Sequence, residues 1–230
     1  MVQHTIRQYI YEQGASLVGF ARLRGLDLPG TMGFPYAISI ACSLPLEVIE
    51  SIHNGPNWAY YLQYREKNAL LNRIGHGVEV MIRSAGYRAQ IVQATIEDTG
   101  RKKYLKWFDG KFPHKTAATL AGLGWIGKSS LFVSSTYGPG VRLGTVLTDM
   151  PLETGIAVSV GNCNSCVECV KACPVNAIRD REWRVGMPRE ELLDVYTCRK
   201  KALEFGISLG IEDSLCGICI SVCPVCKGDV

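Results

Sequence analysis

Nine of the ten cysteines in this 230-residue chain lie beyond residue 160, and eight of them form two linked motifs. The first runs Cys163, Cys166, Cys169, Cys173, with Pro174 directly after it. The second is Cys216, Cys219, Cys223, followed by Pro224, and Cys198 stands alone between the two. Thiolates are soft anionic donors that match iron in a cluster. Gaps of two residues let a tight loop fold three sulfurs around one face of a 4Fe–4S cube. In such runs the fourth cysteine, next to proline, ligates the other cluster of a pair. On that rule Cys163, Cys166, Cys169 and Cys223 serve one cluster. Cys173, Cys216 and Cys219 serve the second, and Cys198 completes it because Asp213 stands where an ordinary two-cluster ferredoxin has its cysteine. The expected chemistry is single-electron transfer through two 4Fe–4S clusters.

Two other uses of cysteine compete with this reading. A disulfide framework belongs to an oxidising compartment, but Met1 to Glu12 is polar and periodic, unlike a secretory leader, which predicts a reducing, cytoplasmic setting. Zinc sites use two separated pairs, whereas here closely spaced cysteines end in Cys-Pro twice over. Two cysteines fall outside the scheme. Cys42 ends an apolar, β-like run and reads as a small buried hydrophobe. Cys226 reads as an unliganded thiol.

The elements that must position these sulfurs fall into two expected domains, residues 1–155 and 156–230. Formal charge is +4, with 16 basic and 11 acidic residues in the first part and 9 and 10 in the second. That mild excess permits an anionic ligand without arguing for nucleic acid. The short run Arg101 to Trp107 mixes basic and aromatic side chains but reads as a solvated loop. No stretch approaches the roughly 18 apolar residues of a membrane span. The first part reads as mixed α/β. Helices are expected at His4 to Gln13, Trp58 to Ala85 and Lys115 to Ala121. The long one carries Leu62, Leu70, Ile74, Val78, Met81, Ile82 and Ala85 at helical spacing and is stopped by Gly86. Strands are expected at Leu17 to Ala21, Tyr36 to Cys42, Ala89 to Ile96, Ser130 to Ser134 and Val141 to Leu147. Pro151 to Thr154 reads as a linker into the cluster domain.

Gly122-Leu-Gly-Trp-Ile-Gly-Lys-Ser129 matches the phosphate-binding loop pattern and, in its first six residues, the dinucleotide fingerprint. Both mechanisms need a strand entering the loop and a helix leaving it. Here a helical segment comes before and a β-like one after, which argues against a nucleotide. Three glycines around a tryptophan point instead to a turn whose backbone is approached closely by something large, with Trp125 packed beneath it.

The segment from His114 to Lys128 and the segment Val141-Arg-Leu-Gly-Thr-Val-Leu-Thr-Asp149 resemble the epoxyqueuosine reductases. The two cysteine motifs and the isolated Cys198 occur in the same order there, and the likeness covers roughly residues 85–226. It implies an N-terminal α/β (α+β) domain like those of cobalamin- and flavin-handling reductases, followed by a small two-cluster ferredoxin-like domain. The family reduces an epoxide on tRNA with a cobalamin fed by the clusters, and the reductive dehalogenases are relatives. Carried to this chain, the turn residues Gly122, Gly124 and Gly127, with Lys128, Ser129 and Arg142, are expected to hold the corrinoid. The family's proton-donating Asp aligns only loosely with Asp109, leaving Asp109 and His114 as candidate catalytic residues. The family continues into a helical tRNA-gripping region where this chain ends four residues after Cys226. The resemblance therefore implies a cobalamin-dependent reductase of a small molecule, fed by a reduced ferredoxin or flavodoxin-type donor. The alternatives are a reductase that activates another corrinoid protein and a plain ferredoxin-type carrier, with tRNA reduction behind them.

Overall fold

The computed structural model describes residues 2–26, 28, 30–94 and 112–227. The chain divides into two compact units that interleave in sequence. Residues 1–42, 67–123 and 142–157 form the first, and 43–66, 124–141 and 158–230 the second. The division at 155/156 is therefore drawn differently in the structure: the cysteine-rich segment forms its unit with two earlier stretches. Local composition marks where a segment starts but carries no record of which distant segment it packs against.

The first unit is built on a four-stranded sheet in the order β1-β2-β6-β3, from β1 (Leu17–Arg22), β2 (Tyr36–Ser43), β3 (Ala89–Val92) and β6 (Val141–Thr148). β1 pairs antiparallel with β2, and β3 with β6. Because successive side chains point to opposite faces, each strand supplies two cores. Val18, Phe20, Ile38, Ile40, Cys42 and Val146 pack with α1 (Val2–Glu12) and α3 (Trp58–Ser84) through Ile6, Ile10, Leu71, Ile74, Val78 and Ile82. Ala21, Ala37 and Leu147 turn the other way, onto Ala117 and Ala121 at α4 (His114–Leu120). Gly19 lets α4 come close: a Cβ there would sit 2.9 Å from Ala121 Cβ and from Leu123. A helix–sheet–helix sandwich results.

Most expected elements are present with shifted ends. α1 stops before Gly14, whose φ of +94° suits glycine. α3 likewise ends before Gly86, φ +88°. Its first turns depart from the expected stripe, since Leu62 is 59% exposed while Leu71 is buried. Cys42 is 1% exposed in the core, and burial pushes its thiol up to about 11, as a small hydrophobe should behave. The stretch expected as a linker is packed instead: Leu152 is buried in the sheet core and Gly155 N donates to Phe20 O at 2.9 Å.

The second unit contains α2 (Leu46–Glu50), the hairpin of β4 (Gly124–Ile126) and β5 (Phe132–Ser134), α5 (Glu168–Ala172), α6 (Val195–Ser208) and α7 (Ile218–Ser221). Its apolar cluster gathers Leu44, Ile49, Ile52, Tyr60, Ile211, Leu215 and Ile220, with Cys219 and Cys226 packed against it. No helix among the described residues is long and apolar enough to cross a membrane.

Candidate metal centre

The cysteines reach their places on short elements with sharp ends. Cys163 and Cys166 lie on a loop closed by Cys166 N donating to Cys163 O at 3.0 Å, with Asn164 at φ +49°. Cys169 follows on α5, and Cys173 caps that helix in an extended conformation. Ala177 N donates to Cys173 Sγ at 3.2 Å. Cys198 rides on α6, whose start is fixed by Asp194 accepting from Thr197 N at 3.0 Å. Cys216 precedes Gly217, whose φ of +95° opens α7, and Cys219 lies on that helix.

The structure brings the sulfurs of the two expected sets close together. Cys163, Cys166, Cys169, Cys219 and Cys223 line one cavity with Gly127, Lys128 and Ser129. Cys198 is in electrostatic range of Cys216 and Cys173, and Cys219 of all three. Cys219 also feels Cys169, so the two sets adjoin. Burial pushes the Cys163, Cys169, Cys198, Cys216, Cys219 and Cys223 thiols up, Cys169 to about 11 and Cys223 to about 12, and neighbouring sulfurs add repulsion. Without a metal these thiols stay protonated, and a cationic centre that binds them takes the place of the protons. Among the described residues no three His, Cys, Asp or Glu side chains are drawn together for a single metal ion. The sulfurs surround a space instead of a point. That spread fits a cubane, which takes one sulfur at each of four corners, so the donor chemistry fits two 4Fe–4S clusters. Cys226 does not line the cavity but is in electrostatic range of Cys223, and its Sγ donates to Tyr137 O (3.5 Å) and Ile220 O (3.7 Å).

The turn expected to hold a corrinoid is closely packed. α4 leads into the β4–β5 hairpin, so the helix-before-strand order stands, but protein occupies the space beside the glycines. A Cβ on Gly124 would overlap Val133 O, and one on Gly127 would lie 2.9 Å from Val133 Cγ2. Both glycines, with Lys128 and Ser129, are buried. Lys128 Nζ donates to Asp180 Oδ1 at 2.7 Å and to Asn164 O at 2.8 Å. Burial opposes its charge, but Asp180 and Glu182 outweigh this and hold its pKa above the ordinary lysine value. It therefore faces the cysteine loop. A bulky residue at Gly124 would break the hairpin itself. Gly122, exposed at φ +76° and close to Ile156 O, and the half-buried Arg142, whose Nε donates to Asn68 Oδ1 at 3.0 Å, keep an open side.

His114 Nε2 lies 3.0 Å from Gln93 O, so this nitrogen carries the proton and donates, while Nδ1 accepts from Thr145 Oγ1 at 2.8 Å. Burial lowers its pKa to about 4, with the nearby Arg142 charge acting the same way against the Gln93 hydrogen bond. It is a neutral histidine with both nitrogens engaged, which makes it a poor acid. Asp109 lies outside the described residues, as does the run Arg101 to Trp107. Reading the sequence as a glycine turn placed Trp125 beneath it but missed Glu182 against Cys163 N and Asp180 against Lys128. The spacing Trp125-x-x-Lys128, across a hairpin bend, was the available signal.

No family model matches the chain. The chain is 29% identical over 214 residues to the epoxyqueuosine reductase of Vibrio cholerae, an alignment covering 90% of this chain and 53% of that protein. It is 32% identical over 120 residues to the tetrachloroethene reductive dehalogenase of Sulfurospirillum multivorans, covering 49% and 23%. A reductive dehalogenase structure described for B12-dependent dehalogenation superposes with a TM-score of 0.72 at 20% identity, over 95% of this chain and 31% of that one. An epoxyqueuosine reductase bound to a tRNA-Tyr stem loop gives 0.65 at 18%, over 99% and 66%. At these identities the superpositions show a shared fold. The chain spans about half the length of the epoxyqueuosine reductase from Vibrio cholerae and less of the dehalogenase. In sequence the chain resembles the epoxyqueuosine reductases, and it shares its fold with them and with reductive dehalogenases.

Proposed function

We propose that this protein is an iron–sulfur oxidoreductase that relays single electrons through two 4Fe–4S clusters to a corrinoid and on to a small-molecule acceptor. The observation that supports the proposal is the cavity lined jointly by Cys163, Cys166, Cys169, Cys219 and Cys223, with Cys219 also in electrostatic range of Cys173, Cys198 and Cys216. Cys163, Cys166, Cys169 and Cys223 hold one cluster; Cys173, Cys198, Cys216 and Cys219 hold the other. Such clusters span roughly −700 to +450 mV, a range that reaches strongly reducing acceptors. The donor is a small reduced carrier of the ferredoxin or flavodoxin type. The corrinoid rests on the fold shared with the B12-dependent dehalogenase structure. When bound it supplies a low-valent cobalt that delivers electrons to the acceptor. Gly122 and Arg142, on the first unit, are the residues left to face it.

A second reading, reduction of epoxyqueuosine in tRNA, is favoured by the identity to the Vibrio cholerae enzyme over most of this chain. Activation of another corrinoid protein and simple electron carriage use the same clusters without a substrate. The test is to add hydroxocobalamin to anaerobic, cluster-loaded protein and record its visible and EPR spectra. A changed cobalt spectrum, weakened by Arg142→Ala with iron content unchanged, is the expected result. Cluster-loaded protein that leaves the corrinoid spectrum untouched would reduce the function to electron carriage. A reductively competent corrinoid complex is then offered a halogenated phenol or an epoxyqueuosine stem loop, which separates the two substrate readings.

A further inference from the structure

Trp125 is 8% exposed, and its Nε1 makes no hydrogen bond of good geometry among the described residues. The acceptor beside it is the Cys163 sulfur. Gly127, Lys128 and Ser129 of the same hairpin segment line the cavity together with that sulfur. The hairpin backbone lies directly against this sulfur, since a Cβ on Gly127 would come to 3.5 Å from Cys163 Sγ. The Lys128 ammonium, its side chain 6% exposed, is fixed 2.7 Å from Asp180 and 2.8 Å from the carbonyl of the neighbouring Asn164. Glu182 closes the other side, its Oε1 accepting from Cys163 N at 3.0 Å. A buried cation and a buried, unpartnered indole N–H thus lie on the hairpin segment that borders the Cys163 sulfur at the cavity.

We infer that the β4–β5 hairpin sets the reduction potential of the cluster held by Cys163, Cys166, Cys169 and Cys223, with Trp125 and Lys128 as its positioning residues. The inference rests on the cluster reading above. Reduction adds negative charge to the cluster and its sulfurs, so a donor or cation at Cys163 stabilises the reduced form more than the oxidised one. The exposed Asp180 opposes this by half-neutralising the ammonium. Gly124 and Gly127 are small because the hairpin must lie this close to its own partner strand and to the sulfur.

The experiment is an EPR-monitored redox titration of the full chain with both clusters loaded. Trp125→Phe removes the donor with little change of shape. It should move one cluster's redox equilibrium severalfold toward the oxidised form, a tenfold change being about 59 mV for a one-electron couple. The other cluster should hold its wild-type potential. Lys128→Met should act in the same direction. Asp180→Asn, at an exposed position, should act in the opposite one, because it leaves the ammonium uncompensated. If Trp125→Phe does not assemble its clusters, the sign of the Asp180→Asn shift decides. Wild-type potentials in every variant that assembles would overturn the inference alone. A wild-type protein that takes up no iron would overturn the cluster reading and the inference with it.

Discussion

In the first unit the sheet is buried on both faces, and Ile6, Ile10, Phe20, Ile38, Ile40, Leu71, Ile74, Val78 and Ile82 are at most 1% exposed. In the second, residues 158–194 bury only Ala177, Ile178, Leu192 and Leu193 among their apolar side chains, and α5 buries none of its residues. Apolar burial at about 25 cal/mol per Å² can order the first unit unaided. It leaves little to order the loop that carries the half-buried Cys163, Cys166, Cys169 and Cys173. On the cluster reading proposed above, the cysteine segment takes its stability from bonds to iron, as small metal-binding domains do.

The largest expected effect follows directly. Anaerobic removal of iron from the full chain by a chelator should strip hydrogen-exchange protection from residues 158–194 and 216–223. Strands β1, β2 and β6 should keep theirs. Equal loss of protection in both units, or none in either, would break the comparison.

A smaller effect sharpens it from the other side. His114 belongs to the first unit, and its folded pKa of about 4 lies below the ordinary 6.5. A histidine with a depressed folded pKa binds its proton more readily when unfolded. Its contribution is therefore complete above pH 6.5 and is lost as pH falls towards 4, by at most roughly 3 kcal/mol. Denaturant titrations of wild type and His114→Gln at pH 7 and pH 4.5 should converge at the lower pH in sheet-unit stability. An unchanged gap between the two would mean that His114 is not held neutral in the fold.

The legibility of the sequence divides along the same line. That Cys163, Cys166 and Cys169 line one cavity could be read from spacing, because gaps of two residues keep them on one local loop. Strands such as Tyr36–Ser43 were legible because β-branched and small apolar residues run without interruption. What could not be read depends on distant partners. Gly124–Ile126 is a strand because Phe132–Ser134 pairs with it, and three residues beginning with glycine carry no period of their own. Lys128 looked like a ligand-binding cation because Asp180, its partner, lies far along the chain. The membership of residues 43–66 and 124–141 in the cysteine unit was hidden for the same reason.

The most direct measurement counts iron and acid-labile sulfide in anaerobically reconstituted protein, for wild type, Cys198→Ala and Cys226→Ala. The account predicts about eight irons and eight sulfides per chain in wild type, two cubanes of four each. Cys198→Ala should fall to about half, with one cluster's EPR signal lost, and Cys226→Ala should match wild type. Full iron in Cys198→Ala, or bound metal without sulfide in wild type, would contradict it.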